Sequence, residues 1–545
     1  MYVTNRWVWA LTFLLAYMVT MLLPEAKRLG NRQCILYLFL LLTYIAAVFV
    51  FAGGLNTYLY PWICGLLFLF GLFLVLGRKL KDTHFQRIAV LLTAAGVFML
   101  SLNRFSNGLT DYKSAGDLYE KTASSGGMPL LDEIDVTDGS RYTDAGLGNI
   151  RNASWLHENA SGINFYMSFY NDRIDQFHNS VALLTGPSPF MYNHLNNRSE
   201  LLAILGVNHV FTKANAKGHV LPIGCTAREA EKDGLVSMKT DTSIVSLFDE
   251  SMTTAEFNGY TPIQRQQILL QKIILEKTIS EKTHTFPVLN EQEIHCLISV
   301  LPETTVVSET GIKTIQEDQE LILSFPEQSD GELYLYFDNL FYEHERTEDT
   351  FIRVSAWNDQ TKVLSQQMRL NTPWSHTYGG KHQWLINLRR IPDFVNSIRV
   401  AFSKQGNYSW TGLHVYVCHT GNVLKNIEQL SHDNTSIVAG NNQYSITTDL
   451  KEKKYLLLAV PFSEGWKATD NGADIEVLNA DIGFMGLELE PGRHEIEFCY
   501  QTPGLPLGLM ISTLSLCIFI STIVWNRRYD HLAGSGKIQD KKATQ

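Results

Sequence analysis

Two short acidic runs have spacings that chemistry could use. Asp172-Arg-Ile-Asp175 sets two carboxylates one helical turn apart, close enough to share a metal ion or a proton. The same spacing makes an ordinary acidic first turn, which the helix dipole stabilises, and that is the preferred reading. Glu343-His-Glu345 falls on a strand or turn, where alternation turns the histidine away from both carboxylates, so no metal is expected there. Trp357, Trp374, Trp384 and Trp410 lie in a strand-rich stretch. Flat aromatic faces stack on sugar rings, but aromatic residues also fill sandwich cores. Trp374, in the polar run Asn371-Thr-Pro-Trp-Ser-His376, and Trp410, after Gly406-Asn-Tyr-Ser409, are the expected surface positions and the candidates for carbohydrate contact. No phosphate-binding loop, dinucleotide fingerprint, nucleophile elbow or HExxH occurs, so no cofactor and no metal is expected. The seven cysteines include no CxxC pair and read as isolated thiols.

The elements that must position these residues fall into blocks. Residues 104–285 read as an α/β domain. It holds a helix ending at Gly206, a strand from Val207 to Phe211, and a long helix from Pro262 to Ile279. Residues 286–430 turn to short alternating strands, such as Leu333-Tyr-Leu-Tyr-Phe337 and Leu413-His-Val-Tyr-Val417, and read as a β-sandwich or jelly roll. Residues 431–504 read as a small β domain, with a hairpin signal at Asn471-Gly472.

Apolar residues are segregated at the two ends. Residues 1–103 hold four candidate membrane helices, at 7–23, 34–52, 58–76 and 88–102, and 505–525 is a fifth. Lys27, Arg28 and Arg32 mark one basic loop, Arg78, Lys79, Lys81 and Arg87 another, and Arg527 and Arg528 open a basic tail, 526–545. The positive-inside rule puts these in the cytoplasm and the large middle region outside. The expected fold class is therefore transmembrane α-helices plus a large extracytoplasmic α/β and all-β region, multi-pass in the cell membrane. The net charge is −10, and no Lys/Arg stripe is present, which excludes nucleic acid as a partner.

A run of features near the C-terminus carries a family resemblance. Leu457–Phe462 is followed by Ser463-Glu-Gly-Trp466, then Asn471-Gly472, Gly483-Phe484, Pro491-Gly492-Arg-His494 and Pro503-Gly504 entering the last apolar stretch. With Gly162–Asn171, Leu201–Phe211 and Leu221-Pro-Ile-Gly224, it resembles the bacterial YfhO-type membrane proteins over roughly residues 100–525. The resemblance implies an envelope glycosyltransferase of the GT-C type. Such an enzyme takes sugar from a polyprenyl-phosphate donor and decorates a cell-wall polymer such as teichoic acid. It also implies a longer N-terminal bundle with a catalytic carboxylate in its first outer loop. The early outer loop here, Gly53–Thr57, has no Asp or Glu, so no catalytic residue is assigned. The chain is expected to be the C-terminal portion of such a protein, completed by an N-terminal partner bundle. Lipid-linked sugar transfer needs a carboxylate and cations near the membrane boundary, and the candidates there are Arg104 and Asp111. The alternative is a non-catalytic, membrane-anchored protein that binds a glycan or a partner.

Overall fold

A computed structural model of the chain describes residues 13–14, 16–18, 21, 28–51, 59–106, 128–131, 133–134, 138–147, 161–166, 171–184, 191–192, 194–216, 218–225, 227–276, 285–301, 306–343, 349–373, 375, 378–391, 394–430, 435–440 and 442–542. The chain divides into two units, Met1–Leu118 and Tyr119–Gln545.

In the first unit, helices Asn31–Phe51, Leu59–Leu76 and Asp82–Ser106 form where spans were expected. Gly71 lets two of them approach closely: a Cβ there would collide with the Leu41 side chain. Phe73 and Phe85 stack at 5.0 Å. The apolar stretches Asn31–Ala47 and Cys64–Leu76 are shorter than the about 20 residues a span takes. The stretch expected at 7–23 lies mostly outside the described residues.

The second unit ends in the helix Leu505–Lys542. Its first 21 residues, Leu505–Trp525, have a mean hydropathy of 2.2 and are long and apolar enough to cross a membrane. The helix runs on through the basic tail to Lys542, a segment with no proline to stop it.

A large β-rich region fills most of this unit. Strands Gln292–Ile294, Gly412–Cys418, Glu332–Asp338 and Trp384–Arg390 form one antiparallel sheet of a sandwich. Strands Leu297–Leu301, Gln319–Gln328, Val395–Phe402, Thr350–Asn358 and Thr361–Leu370 form the other. One core lies between them. It takes alternate residues from both sheets, such as Leu333, Leu335 and Phe337 from one and Ile398, Val400 and Phe402 from the other.

The segment 431–504 does not stand apart. Its strands Lys454–Pro461, Phe484–Leu489 and Leu478–Ala480 share one sheet with Val245–Phe248, Ile273–Leu275 and Ser251–Thr253. Both faces of that sheet are buried. Tyr455, Leu457 and Ala459 face a core built with helices, and Leu456, Leu458 and Val460 face a second core. This is why the run reads as continuously apolar. On the second face lies the sheet containing Gly492–Tyr500, where Asn471 (φ +50°) and Gly472 (φ +81°) close the expected hairpin.

One helix is corrected. Pro262–Ile268 is helical, but the chain leaves the helix there and Ile273–Leu275 becomes a strand. Ile273 and Ile274 are fully buried, in a strand paired on both edges, which satisfies β-branched side chains better than a helix would. All seven cysteines are free, in line with the reading of isolated thiols.

Candidate functional site

The strand Glu332–Asp338 alternates Glu-Leu-Tyr-Leu-Tyr-Phe-Asp. Its leucines and phenylalanine enter the sandwich core, so Glu332, Tyr334, Tyr336 and Asp338 are sent to the outer face. Its neighbour Gly412–Cys418 does the same with His414, Tyr416 and Cys418. The register pairs Tyr336 with His414 and Glu293 with Tyr416.

Half of that outer face is covered. Arg198, fully buried, donates to the carbonyls of Val181, Ala182 and Leu385 at 2.6, 3.0 and 2.8 Å. Tyr334 donates to Glu332 at 2.6 Å, and Asn426 donates to Glu200 at 2.6 Å. Burial pushes the Glu200 carboxyl up to about 8, and burial also raises Glu332. The helix Pro262–Ile268 is held over the sheet by Gln266, 3.4 Å from the Tyr334 hydroxyl, and by Gln267, whose Oε1 accepts from the Asn290 amide at 2.9 Å. Proline opens this helix, where a missing N–H costs nothing. Gln264 accepts from the Thr261 amide at 3.0 Å and donates to Glu291 at 2.8 Å.

Beyond the covered half, a cleft of about 560 Å³ opens between the first turn of that helix and the sheet. Its floor is Tyr336, His414 and Tyr416. Their rings lie nearly parallel, 6.0 Å apart at interplanar angles of 24° and 22°. Its walls carry Arg265, Glu291, Glu293, Asp338 and Gln383. Glu293 meets His414 Nδ1 at 2.7 Å. Burial alone would raise the Asp338 carboxyl, but hydrogen bonds from Gln383, Thr411 and Tyr336 outweigh it and hold it below its usual range. Arg265 donates to the carbonyls of Ser180 and Asn258, both at 2.7 Å, so it fixes the wall.

A floor of aromatic rings edged by carboxylates and an amide fits a polyol ring: the rings take its apolar face and the oxygens take its hydroxyls. The volume suits one small ligand. Asp338 is a poor proton acceptor at neutral pH, because both its oxygens already accept hydrogen bonds and its affinity for a proton is reduced.

The residues singled out from sequence lie elsewhere. The expected surface position of Trp410 is corrected: it is buried against Phe337, ring centroids 5.6 Å apart, and its indole N–H donates to the Glu309 carbonyl at 2.9 Å. It directly follows the strand Gly406–Ser409, whose Tyr408 joins the same sandwich core, so a large aromatic closes one end there. Trp374 and Asp111 lie outside the described residues, as do His344 and Glu345. Arg104 falls near the end of the helix Asp82–Ser106. Asp172 and Asp175 form the first turn of the helix Asp172–Ser180, capped by Asn171, as the ordinary reading of that pair requires. The signal for the cleft was present in the sequence. In Glu332–Asp338 and His414–Val417, every second residue is apolar and the residues between are aromatic, acidic or histidine.

The bacterial membrane protein YfhO family matches residues 1–512. YfhO of Bacillus subtilis (strain 168) is 28% identical over 79 residues, a match taking in 14% of this chain and 9% of that protein's length. Among solved structures, a mutant of the arabinofuranosyltransferase AftD from Mycobacteria aligns over 91% of this chain and 73% of its own. The identity is 9% and the TM-score 0.31. A truncated AlyQ with CBM32 and alginate lyase domains aligns over 33% of this chain and 57% of its own, at 8% identity and a TM-score of 0.17. Both scores fall short of what a shared fold requires. The family match, which takes in all but the last 33 residues, is of a different order, and the chain belongs to the family of the bacterial membrane protein YfhO.

Proposed function

We propose that this chain works in glycosylation of the cell envelope, as part of a YfhO-type membrane glycosyltransferase. In this reading the helices at 34–52, 58–76, 88–102 and 505–525, with the stretch at 7–23, cross the bilayer. The β-rich region lies outside the cell. The donor is a polyprenyl-phosphate sugar and the acceptor a cell-wall polymer such as teichoic acid. An N-terminal partner bundle supplies the catalytic carboxylate, with Arg104 and Asp111 near the membrane boundary and Trp374 as a further contact to the glycan. One observation carries the reading: a membrane-protein family member presents, on its sandwich, an aromatic-floored cleft edged with hydroxyl-binding oxygens.

The second reading, a membrane-anchored glycan-binding protein without transferase activity, is favoured by the saturated Asp338 carboxylate. One experiment separates the two. Full-length protein in lipid nanodiscs is given a radiolabelled polyprenyl-phosphate sugar and purified cell-wall polymer, alone and with membranes of a strain lacking the protein. Transfer that depends on added protein supports the first reading. Polymer binding with no transfer under either condition supports the second. Neither binding nor transfer contradicts both.

A further inference from the structure

The cleft contains more than a sugar-shaped floor; it has a charge. Of the described residues lining it, Glu291, Glu293 and Asp338 are acidic, and Arg265 and His414 are basic, His414 meeting one oxygen of Glu293 at 2.7 Å. The Arg265 guanidinium is spent on two backbone carbonyls of its own wall, and the residue is nine-tenths buried. It therefore offers an incoming anion little. The carboxylates are better placed: Glu293 is half-exposed at the mouth, and Asp338 is held ionised by its hydrogen bonds. A negative charge entering this cleft would meet like charge, and among the described lining residues both basic side chains are already engaged, Arg265 with its two carbonyls and His414 with Glu293.

We propose that the cleft selects a non-anionic sugar, and that an amine-bearing one gains further from Glu293. This deepens the envelope-glycan reading and rests on it. The apolar face of the ring lies along Tyr336, His414 and Tyr416. Hydroxyls donate to carboxylate oxygens at the edge, and an ammonium group sits at the mouth beside Glu293. A phosphate or carboxylate on the same ring is repelled. For a charged polymer acceptor, the unit held here is then a sugar substituent and not the phosphodiester backbone.

The test uses three sugars of one ring type and different charge: glucosamine, glucose and glucuronate. Saturation-transfer NMR on full-length protein in nanodiscs of neutral lipid, at low salt, gives their relative affinities. Glucosamine is expected to exceed glucuronate by at least about tenfold, with glucose between, and the gap to narrow at high salt. Glu293→Gln keeps the shape of a half-exposed side chain and is expected to cut the gap to about threefold. Asp338→Asn is the companion variant, with unchanged thermal unfolding of either variant as the check on folding. Glucuronate binding as well as glucosamine overturns the selectivity but leaves glycan binding standing. Failure of all three sugars to bind, while polymer transfer persists, overturns the cleft as the site but not the envelope role. Failure of binding and transfer together removes both.

Discussion

The strands Lys454–Pro461 and Glu332–Asp338 are each paired on both edges within their sheets and use opposite rules. The first is apolar on both faces because cores press on it from both sides. The second gives one face to a core and the other to glutamate, two tyrosines and aspartate. Burial is nearly complete in both, so burial does not tell them apart. The difference lies in what the second face must still satisfy. A buried tyrosine or glutamate needs partners, and the groups that supply them also shape a cleft.

The contrast can be broken by mutation. The largest effect is expected at Leu457→Ala, which empties a fully buried site between helices and sheet. It should cost about 3–4 kcal/mol in chemical denaturation and leave sugar affinity of the folded fraction unchanged. Arg198→Ala should come next, at about 3 kcal/mol, by removing three hydrogen bonds from a buried guanidinium to backbone carbonyls. Unlike the first, it should also weaken sugar binding, because Leu385 and Ala182 pack in one cluster with the floor residues Tyr336 and Tyr416.

Acid titration sharpens the same comparison. Glu200 has its folded pKa raised to about 8, and Asp481 likewise. The folded state therefore keeps protons that the unfolded chain releases near pH 4 to 4.5. The stability tied to them is full below that range and is lost as pH rises to about 8. Glu200→Gln should flatten this decline by about 2 kcal/mol across pH 5–8, read from denaturation midpoints. The smallest expected effect on stability is at His414→Ala, within about 0.5 kcal/mol, although sugar affinity should fall about fivefold.

Much of the sandwich was legible because its strands alternate cleanly, so Leu321–Phe325 or Ser397–Phe402 announce both strand and core face. The helix expected through Ile279 was not, since Ile273 and Ile274 fit a helical face and a buried strand equally well. Only pairing with Ser251–Thr253 and Leu478–Ala480 decides between them. The second of these joins residues about 200 positions apart, which local pattern does not encode. Trp410 was misplaced because a polar flank, Gly406–Ser409, proved to be a core-closing strand. The cleft was half legible: the alternation was in view, but a helix from another block forms its wall, and that juxtaposition belongs to the fold.

On the proposed function, the cleft faces the cell exterior and holds a sugar. Its most direct test places a thiol at the mouth, Glu293→Cys with the exposed Cys499 changed to Ser, and treats intact cells with a membrane-impermeant maleimide. Labelling from outside, slowed by saturating glucose, is expected. Labelling only after permeabilisation, or at a rate glucose does not change, would contradict it.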